Sequence, residues 1–177
     1  MTVAVAAALI LASIALLGSG SEEEDLVTGK ISEKILQPED MGAGWTAYKA
    51  FSNATGPMPS GAYEDGSITL KSHNATGQPA FIIEITLVFF NSSESAESFY
   101  QGYIGNPPMG LLNPQSVQVG DNATIYDAVS YLVGHDGKIL VLKERNVVCY
   151  ISYGATQPVQ VTEVMAIEAA NKQIDKL

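Results

Sequence analysis

The residues that could carry chemistry are few in this sequence and lie far apart. Its single cysteine, Cys149, falls inside the apolar stretch NVVCYISY, and neither His73 nor His135 is near it along the chain. A cysteine nucleophile needs a neighbouring base, so this pattern predicts a buried thiol that packs as a small hydrophobic group. One cysteine also excludes an intrachain disulfide.

The histidines and the best-placed carboxylate do not form a recognisable site either. His135 and Asp136 stand in the turn-like stretch GHDGK, and one imidazole with one carboxylate provides too few ligands for zinc. His73 adjoins a sequon in a predicted loop. Glu84 could act as an acid or base only if the fold brought a second titratable group to it, and the sequence names none. We therefore predict no catalytic residue, no metal site and no cofactor.

A different kind of site, the N-glycosylation sequon, is over-represented. Four of the eight asparagines begin an N-x-[ST] triplet, where about one would be expected by chance; they are Asn53, Asn74, Asn91 and Asn122. Glycosylation needs an exposed acceptor outside the cytosol, so all four are predicted acceptors. Two have structural alternatives, because Asn91 could cap a helix that begins in NSSESAESF and Asn122 could be a plain turn residue in VGDNA.

The first twenty residues predict export. Val3–Leu17 is a run of 15 residues in which only Ser13 is polar. A comfortable membrane span needs about 20 residues, and this length is typical of the apolar part of a secretory signal or a signal-anchor. No basic residue precedes Lys30, and the lipobox-like LLGS has Ser19 where the lipidated cysteine belongs. Cleavage after Gly20 and an uncleaved anchor both stay open.

The charge balance excludes one class of partner and helps to divide the chain. The formal net charge is −10, from 19 acidic and 9 basic residues, and a field of that sign repels nucleic acid. We predict a leader at 1–20, an acidic linker at 21–29 and a single extracytoplasmic domain at 30–177.

The body of the domain alternates strand patterns with two helical ones. FIIEITLVFF (Phe81–Phe90) is the strongest strand, with one wholly apolar face. Further strands are predicted at WTAYKAF, GSITLKSH, AVSYLV, KILVLKE and NVVCYISY, and a loop at GNPPMGLLNPQ. SSESAESFYQGY predicts one helix, and QVTEVMAIEAANKQIDKL another with an inner stripe at Val164, Ile167, Ala170, Ile174 and Leu177.

These elements predict an α+β fold class. We expect an antiparallel sheet of about five to six strands packed against two main helices, preceded by the N-terminal hydrophobic segment. Trp45 is expected either to plug the open end of the core or to line an apolar pocket with Tyr48, Tyr150 and Tyr153.

Several short motifs resemble a family of uncharacterised exported archaeal and bacterial domains. LQPEDMGAGW matches the pattern P-x-D-[LM]-x-x-G-W, VGDNA matches V-G-D-x-A, and RNVVCYISY is similar to a late strand G-N-V-V-V-x-x-S. The resemblance covers Leu36 to Leu177, with Arg145 where that family often has glycine and Cys149 where it often has an aliphatic residue. It implies an extracytoplasmic α+β domain, similar in outline to PsbP-like sandwiches, and brings no activity with it.

Together these patterns predict an exported, N-glycosylated, non-catalytic domain of the cell envelope. It is expected to bind a small ligand or an envelope protein, and to contact a membrane through the N-terminal segment if that segment is not cleaved. The alternative is a purely structural surface component, and a hydrolase with an unrecognised site is a third hypothesis.

Overall fold

The computed structural model describes residues 25–53, 56–73, 77, 79–130, 135–156 and 160–177. The predicted leader, the sequon at Asn74 and the first four residues of the acidic linker lie outside the described residues.

One antiparallel sheet of seven strands forms the centre of the domain. Its strands are β1 Trp45–Asn53, β2 Ala62–His73, β3 Pro79–Phe90, β4 Leu111–Val117, β5 Asn122–Ser130, β6 His135–Glu144 and β7 Val147–Ala155. Their spatial order is β1-β2-β3-β7-β6-β5-β4. A three-stranded N-terminal meander and a four-stranded C-terminal meander therefore join where β3 pairs with β7.

Helices lie on both faces of this sheet. The short helices α1 (Ile31–Lys34) and α2 (Pro38–Met41) precede β1, α3 (Ser93–Gly105) connects β3 to β4, and α4 (Glu163–Ile174) follows β7. Residues of α1 and α4 belong to the larger core cluster on one face. Residues of α3 belong to a smaller cluster on the other face.

The alternation in β3 explains why both faces can be covered. Successive strand residues point to opposite faces, and Ile83 and Leu87 lie in the larger core. Val88 and Phe90 point to the other face and pack under α3. Glu84, on that same face but further from α3, is only half-buried. The helix thus covers only part of its face.

The predicted α+β class is wrong, because the fold is β-rich. Strand makes up 47% of the structure and helix 24%, and the sheet has seven strands rather than five or six. The helices are short, from 4 to 13 residues, and they contribute fewer residues to the fold than the sheet does.

The additional strand, β4, does not have a recognisable strand pattern in the sequence. GNPPMGLLNPQ predicts a loop, yet Leu111–Val117 forms the edge strand β4. An edge strand pairs on one side only, so it can accommodate Pro114 and exposed polar residues. The irregularity between Leu112 and Gln115 marks where its pairing with β5 slips.

Two further boundaries also differ from the prediction. β5 begins at Asn122, six residues before the predicted strand AVSYLV, because Ala123 and Ile125 already alternate into the core. β6 begins at His135, so His135 and Asp136 pair in register with Ser130 and Val129 instead of forming the hairpin turn.

The predicted inner stripe of α4 is right except at Val164: Ala170 is fully buried, and Ile167, Ile174 and Leu177 pack against the core. Val164 is 63% exposed, while the fully or nearly fully buried positions are Ala166, Ala169, Ala170 and Gln173. Small alanine side chains let a helix backbone approach the sheet closely. The prediction therefore identified the inner face at Ile167, Ala170 and Ile174, and it missed Ala166, Ala169 and Gln173.

Two buried amide side chains attach the N-terminal segment to the sheet and to α4. The Asn146 Oδ1 accepts a hydrogen bond from the Val27 N–H at 2.7 Å, and its Nδ2 donates to the carbonyls of Val27 and Phe90. The Gln173 Oε1 accepts from the Leu36 N–H, and its Nε2 donates to the Lys34 carbonyl. Val27, inside the predicted acidic linker, is accordingly buried.

Candidate functional site

The part of the sheet that α3 leaves uncovered carries mainly polar side chains, and the buried Thr69 and Ile82 lie among them. We call it the open polar face and define it by side chains from β1, β2, β3 and β7: Tyr48, Lys49, Ser67, Thr69, Lys71, Glu84, Thr86 and Ser152. It lies on the opposite side of the sheet from α4, since these positions alternate with the core residues of the same strands.

The strand register arranges these side chains in rows. One row runs from Lys49 to Thr69, Glu84 and Ser152, each paired with the next across neighbouring strands. Neighbouring strands lie about 4.8 Å apart, so four strands span roughly 14 Å. Thr69 is only 2% exposed, so the members of this row that a ligand could reach are Lys49 at one end and the half-buried Glu84 and Ser152 at the other.

A second row runs beside the first and ends at α3. Ser67 pairs with Thr86, and Thr86 pairs with Tyr150. The Tyr150 ring lies 5.0 Å from the ring of Tyr103 on α3, measured between centroids, and 6.4 Å from Phe99. These aromatic rings form the wall where the helix meets the open polar face.

The phenol of Tyr150 is neutral in this setting. Burial raises its pKa, and the nearby phenol of Tyr103 adds to the shift. It therefore offers an uncharged hydroxyl at neutral pH.

The outer corner of the open polar face is formed by a β-bulge. Ala47 pairs with Leu70 and Lys49 pairs with Thr69, so Tyr48 is an extra residue in β1. Its ring is 54% exposed, and the Lys71 ammonium lies over it, 5.1 Å from the ring centroid. Bulges at a sheet edge commonly redirect a side chain, and this one places Tyr48 on the same face as Lys71.

The two lysines of this corner differ from the four basic residues, out of nine in the chain, that form ion pairs within the described residues. Lys138, Lys143 and Lys176 each contact an aspartate, and Arg145 contacts two carboxylates. In the described part of the chain, neither Lys49 nor Lys71 forms an ion pair. Lys49 pairs with Thr69, and Lys71 is two residues from Thr69 in β2, so two lysines without an ion pair occupy diagonal positions on one face of a protein whose net charge is −10.

The four aromatic residues proposed from the sequence as a pocket do not come together. Trp45 packs edge-on against Tyr153, with centroids 6.3 Å apart, on the core face beneath Phe81. Tyr48 and Tyr150 lie on the opposite face. The sequence spacing predicts that Tyr150 and Tyr153 lie on opposite faces, because they are an odd number of positions apart in one strand.

The described sequons are exposed at the asparagine. Asn53 and Asn91 are exposed, and so is Asn122. Asn91 does not cap α3, because the Ser92 hydroxyl accepts the hydrogen bond from the Ser95 N–H. The Asn122 Nδ2 donates to Glu97 at 3.1 Å.

The residues considered for catalysis lie apart. Cys149 is fully buried, as predicted, and burial raises the pKa of its thiol. His73 is exposed at the end of β2. Glu84 has Thr69 and Ser152 as its register neighbours. Among the described residues, no group of three or more histidine, cysteine, aspartate or glutamate side chains could hold a metal ion.

Two hollows elsewhere are also lined mainly by polar groups. One of about 390 Å³ lies at the start of α3 beside Ser60 and Gly61. The other, of about 220 Å³, lies between α3 and the β4–β5 turn, where the hydroxyls of Tyr100 and Thr124 are 2.9 Å apart. Neither has the apolar lining of a typical small-molecule pocket.

The architecture is thus a seven-stranded antiparallel sheet with a helix-covered core face and a half-covered polar face. Its fold is similar to the crystal structure of the extracellular domain of PknH from Mycobacterium tuberculosis, with a TM-score of 0.57 and 13% sequence identity. The match covers 86% of this chain and 97% of that chain, and at this identity it shows the fold alone. No family model and no curated protein matches the chain.

Within the described residues, no helix combines the length and the apolar character that a membrane crossing requires.

Proposed function

We propose that this protein is an extracytoplasmic, N-glycosylated, non-catalytic domain that binds a small polar ligand on the open polar face. The apolar leader and the four sequons support the location, as does the use of this fold by another extracellular domain. The observation that carries the binding role is the pair of polar rows across β1, β2, β3 and β7.

The composition of the rows favours recognition of hydroxyl groups. Threonine and serine hydroxyls both donate and accept hydrogen bonds, and an ionised glutamate accepts only. In the described part of the chain, the side chains of Thr86, Ser152 and Glu84 make no hydrogen bond to protein. Their hydrogen-bonding capacity is thus open to a ligand or to water.

The same surface argues against a protein partner. The core of a protein interface is depleted in charged groups and enriched in buried aromatic anchors. The open polar face instead carries three charged side chains, Lys49, Lys71 and Glu84. Among the residues that define it, Tyr48 is the one with a large exposed ring.

A thermal-shift screen of the full chain in detergent tests the binding role. A panel of neutral and charged mono- and oligosaccharides is added to the parent, to Thr86→Val and to the matched control Thr28→Val, whose threonine is exposed in the N-terminal segment. At a ligand concentration about 100 times Kd the parent Tm should rise by roughly 5–10 °C. Thr86→Val should weaken binding about fivefold through loss of one hydrogen bond.

Two results would contradict the proposal. One is a panel in which no compound changes the parent Tm. The other is a ligand to which Thr86→Val and Thr28→Val respond equally, since that ligand would bind away from the open polar face.

A further inference from the structure

We infer that the ligand of the open polar face is an acidic sugar, and that its carboxylate binds between Lys49 and Lys71. This inference rests on the proposed function and narrows it to one chemical class. It is carried by the arrangement of charge, ring and hydroxyl groups within that face.

Most of the basic side chains with described contacts are neutralised by carboxylates or donate to backbone carbonyls, as Lys34 and Lys172 do. Lys49 and Lys71 have neither kind of partner in the described part of the chain. The strand register puts them in diagonal positions, with Cα atoms roughly 7–8 Å apart, so one anion could contact both ammonium groups.

The bulge at Tyr48 places a half-exposed aromatic face against the Lys71 ammonium. An aromatic ring offers flat apolar area with a polar tip, which suits the carbon face of a sugar ring. A carboxylate on that sugar then lies within reach of the lysine that already contacts the same ring.

Glu84 lies two strands from Lys49, roughly 10 Å away. A carboxylate at the lysine corner is thus separated from the acidic side chain. Glu84 can instead accept hydrogen bonds from sugar hydroxyls further along the ligand, and Ser152 can both donate and accept them.

A matched pair of ligands and a matched set of variants test the inference. Binding of an oligogalacturonate and of its carboxyl-reduced, neutral form is measured by calorimetry on the full chain in detergent. The variants are Lys49→Gln, Lys71→Gln and the control Lys30→Gln, an exposed lysine in the N-terminal segment that forms no ion pair in the described part of the chain.

The expected result is binding of the acidic form at least tenfold tighter than the neutral form. Lys49→Gln and Lys71→Gln should each weaken it about tenfold, and Lys30→Gln should leave it unchanged. Binding should also weaken with added salt, because the two lysines are accessible to solvent.

Four outcomes would overturn the inference, and they separate it from the proposed function. Equal binding of both forms, or binding of the neutral form alone, would leave a sugar site without a role for the lysines. An equal loss in all three lysine variants would indicate general attraction to charge. A poly-glutamate peptide that binds as tightly as the oligogalacturonate would exclude recognition of the sugar. If neither form of the oligosaccharide binds, the ligand is not an acidic sugar of this kind. If no compound of the saccharide panel binds either, the proposed function is contradicted as well.

Discussion

Asn146 is the side chain that holds the N-terminal segment in place. It is 1% exposed and satisfies three backbone groups with its amide, two on Val27 and one on Phe90. A buried backbone group that loses its partner costs about 1–3 kcal/mol. The folded state therefore depends on this residue far more than its short side chain suggests.

Replacement of Asn146 by alanine should lower the free energy of unfolding by about 2–4 kcal/mol, because several buried polar groups lose their partner at once. Denaturant unfolding of the full chain measures this change. Asn171→Ala, at an exposed position of α4, is the control and should stay within about 0.5 kcal/mol of the parent. An equal effect of the two substitutions would contradict the role of Asn146.

The residue scale also shows what the sequence could and could not reveal. The burial of Cys149 was predictable, since its apolar neighbours and the strand pattern are local information. The roles of Asn146 and Gln173 were not, because their hydrogen-bond partners lie 119 and 137 residues away along the chain. No periodicity within a short window can indicate such a pairing.

At the scale of elements, Asp121 joins the start of β5 to the β6–β7 turn. Its carboxylate accepts hydrogen bonds from the Lys143 ammonium at 2.7 Å and from the Arg145 N–H at 2.9 Å. Arg145 has a positive φ of 50°, a backbone conformation that residues other than glycine seldom adopt. The hydrogen bond from its backbone helps to hold that turn.

The ionisation of Asp121 links this contact to pH. Partial burial favours the neutral acid, but the hydrogen bonds from Lys143 and Arg145 and the charges of both outweigh it, so the pKa of Asp121 lies below its usual value. A lowered folded-state pKa stabilises the fold above the unfolded pKa of about 3.9, and the contribution disappears as the pH falls through the folded value.

We therefore expect Asp121→Asn to cost about 1 kcal/mol at pH 7, a modest figure because the carboxylate is partly exposed to solvent. The difference from the parent should shrink below about pH 4. Urea unfolding at pH 7, 5 and 3 measures it, with the exposed Asp175→Asn as control. A difference that stays constant across this range would show that the charge of Asp121 is not responsible.

The elements differ in how far the sequence could predict them. β3 was clear, because all its alternate residues on one face are apolar and enter the core. β4 was not, because an edge strand with Pro114 and exposed side chains lacks that pattern. The open polar face was missed for a related reason, since its members come from four strands whose register is a property of the sheet.

At the scale of the whole molecule, the proposed location predicts glycosylation. Asn53, Asn91 and Asn122 are exposed at the asparagine, so the protein from its native host should lose mass on enzymatic deglycosylation. Of these sites Asn122 is the least available, because its Nδ2 is hydrogen-bonded to Glu97. Asn53→Gln should remove one increment of the mobility shift, and Asn171→Gln, outside any sequon, should remove none. An unmodified native mass would contradict this prediction.

The anchoring of Val27 by Asn146 also sets the point at which the fold would be tethered if its leader stayed in a bilayer. From Leu17 to Asp25 the chain can reach at most about 29 Å, and it enters the fold beside the β6–β7 turn. That turn would then be the tethered end of the molecule. The row of Lys71 and Ile82 lies eight strand residues from Phe90, about 27 Å away, so the lysine corner would lie at the end far from the tether.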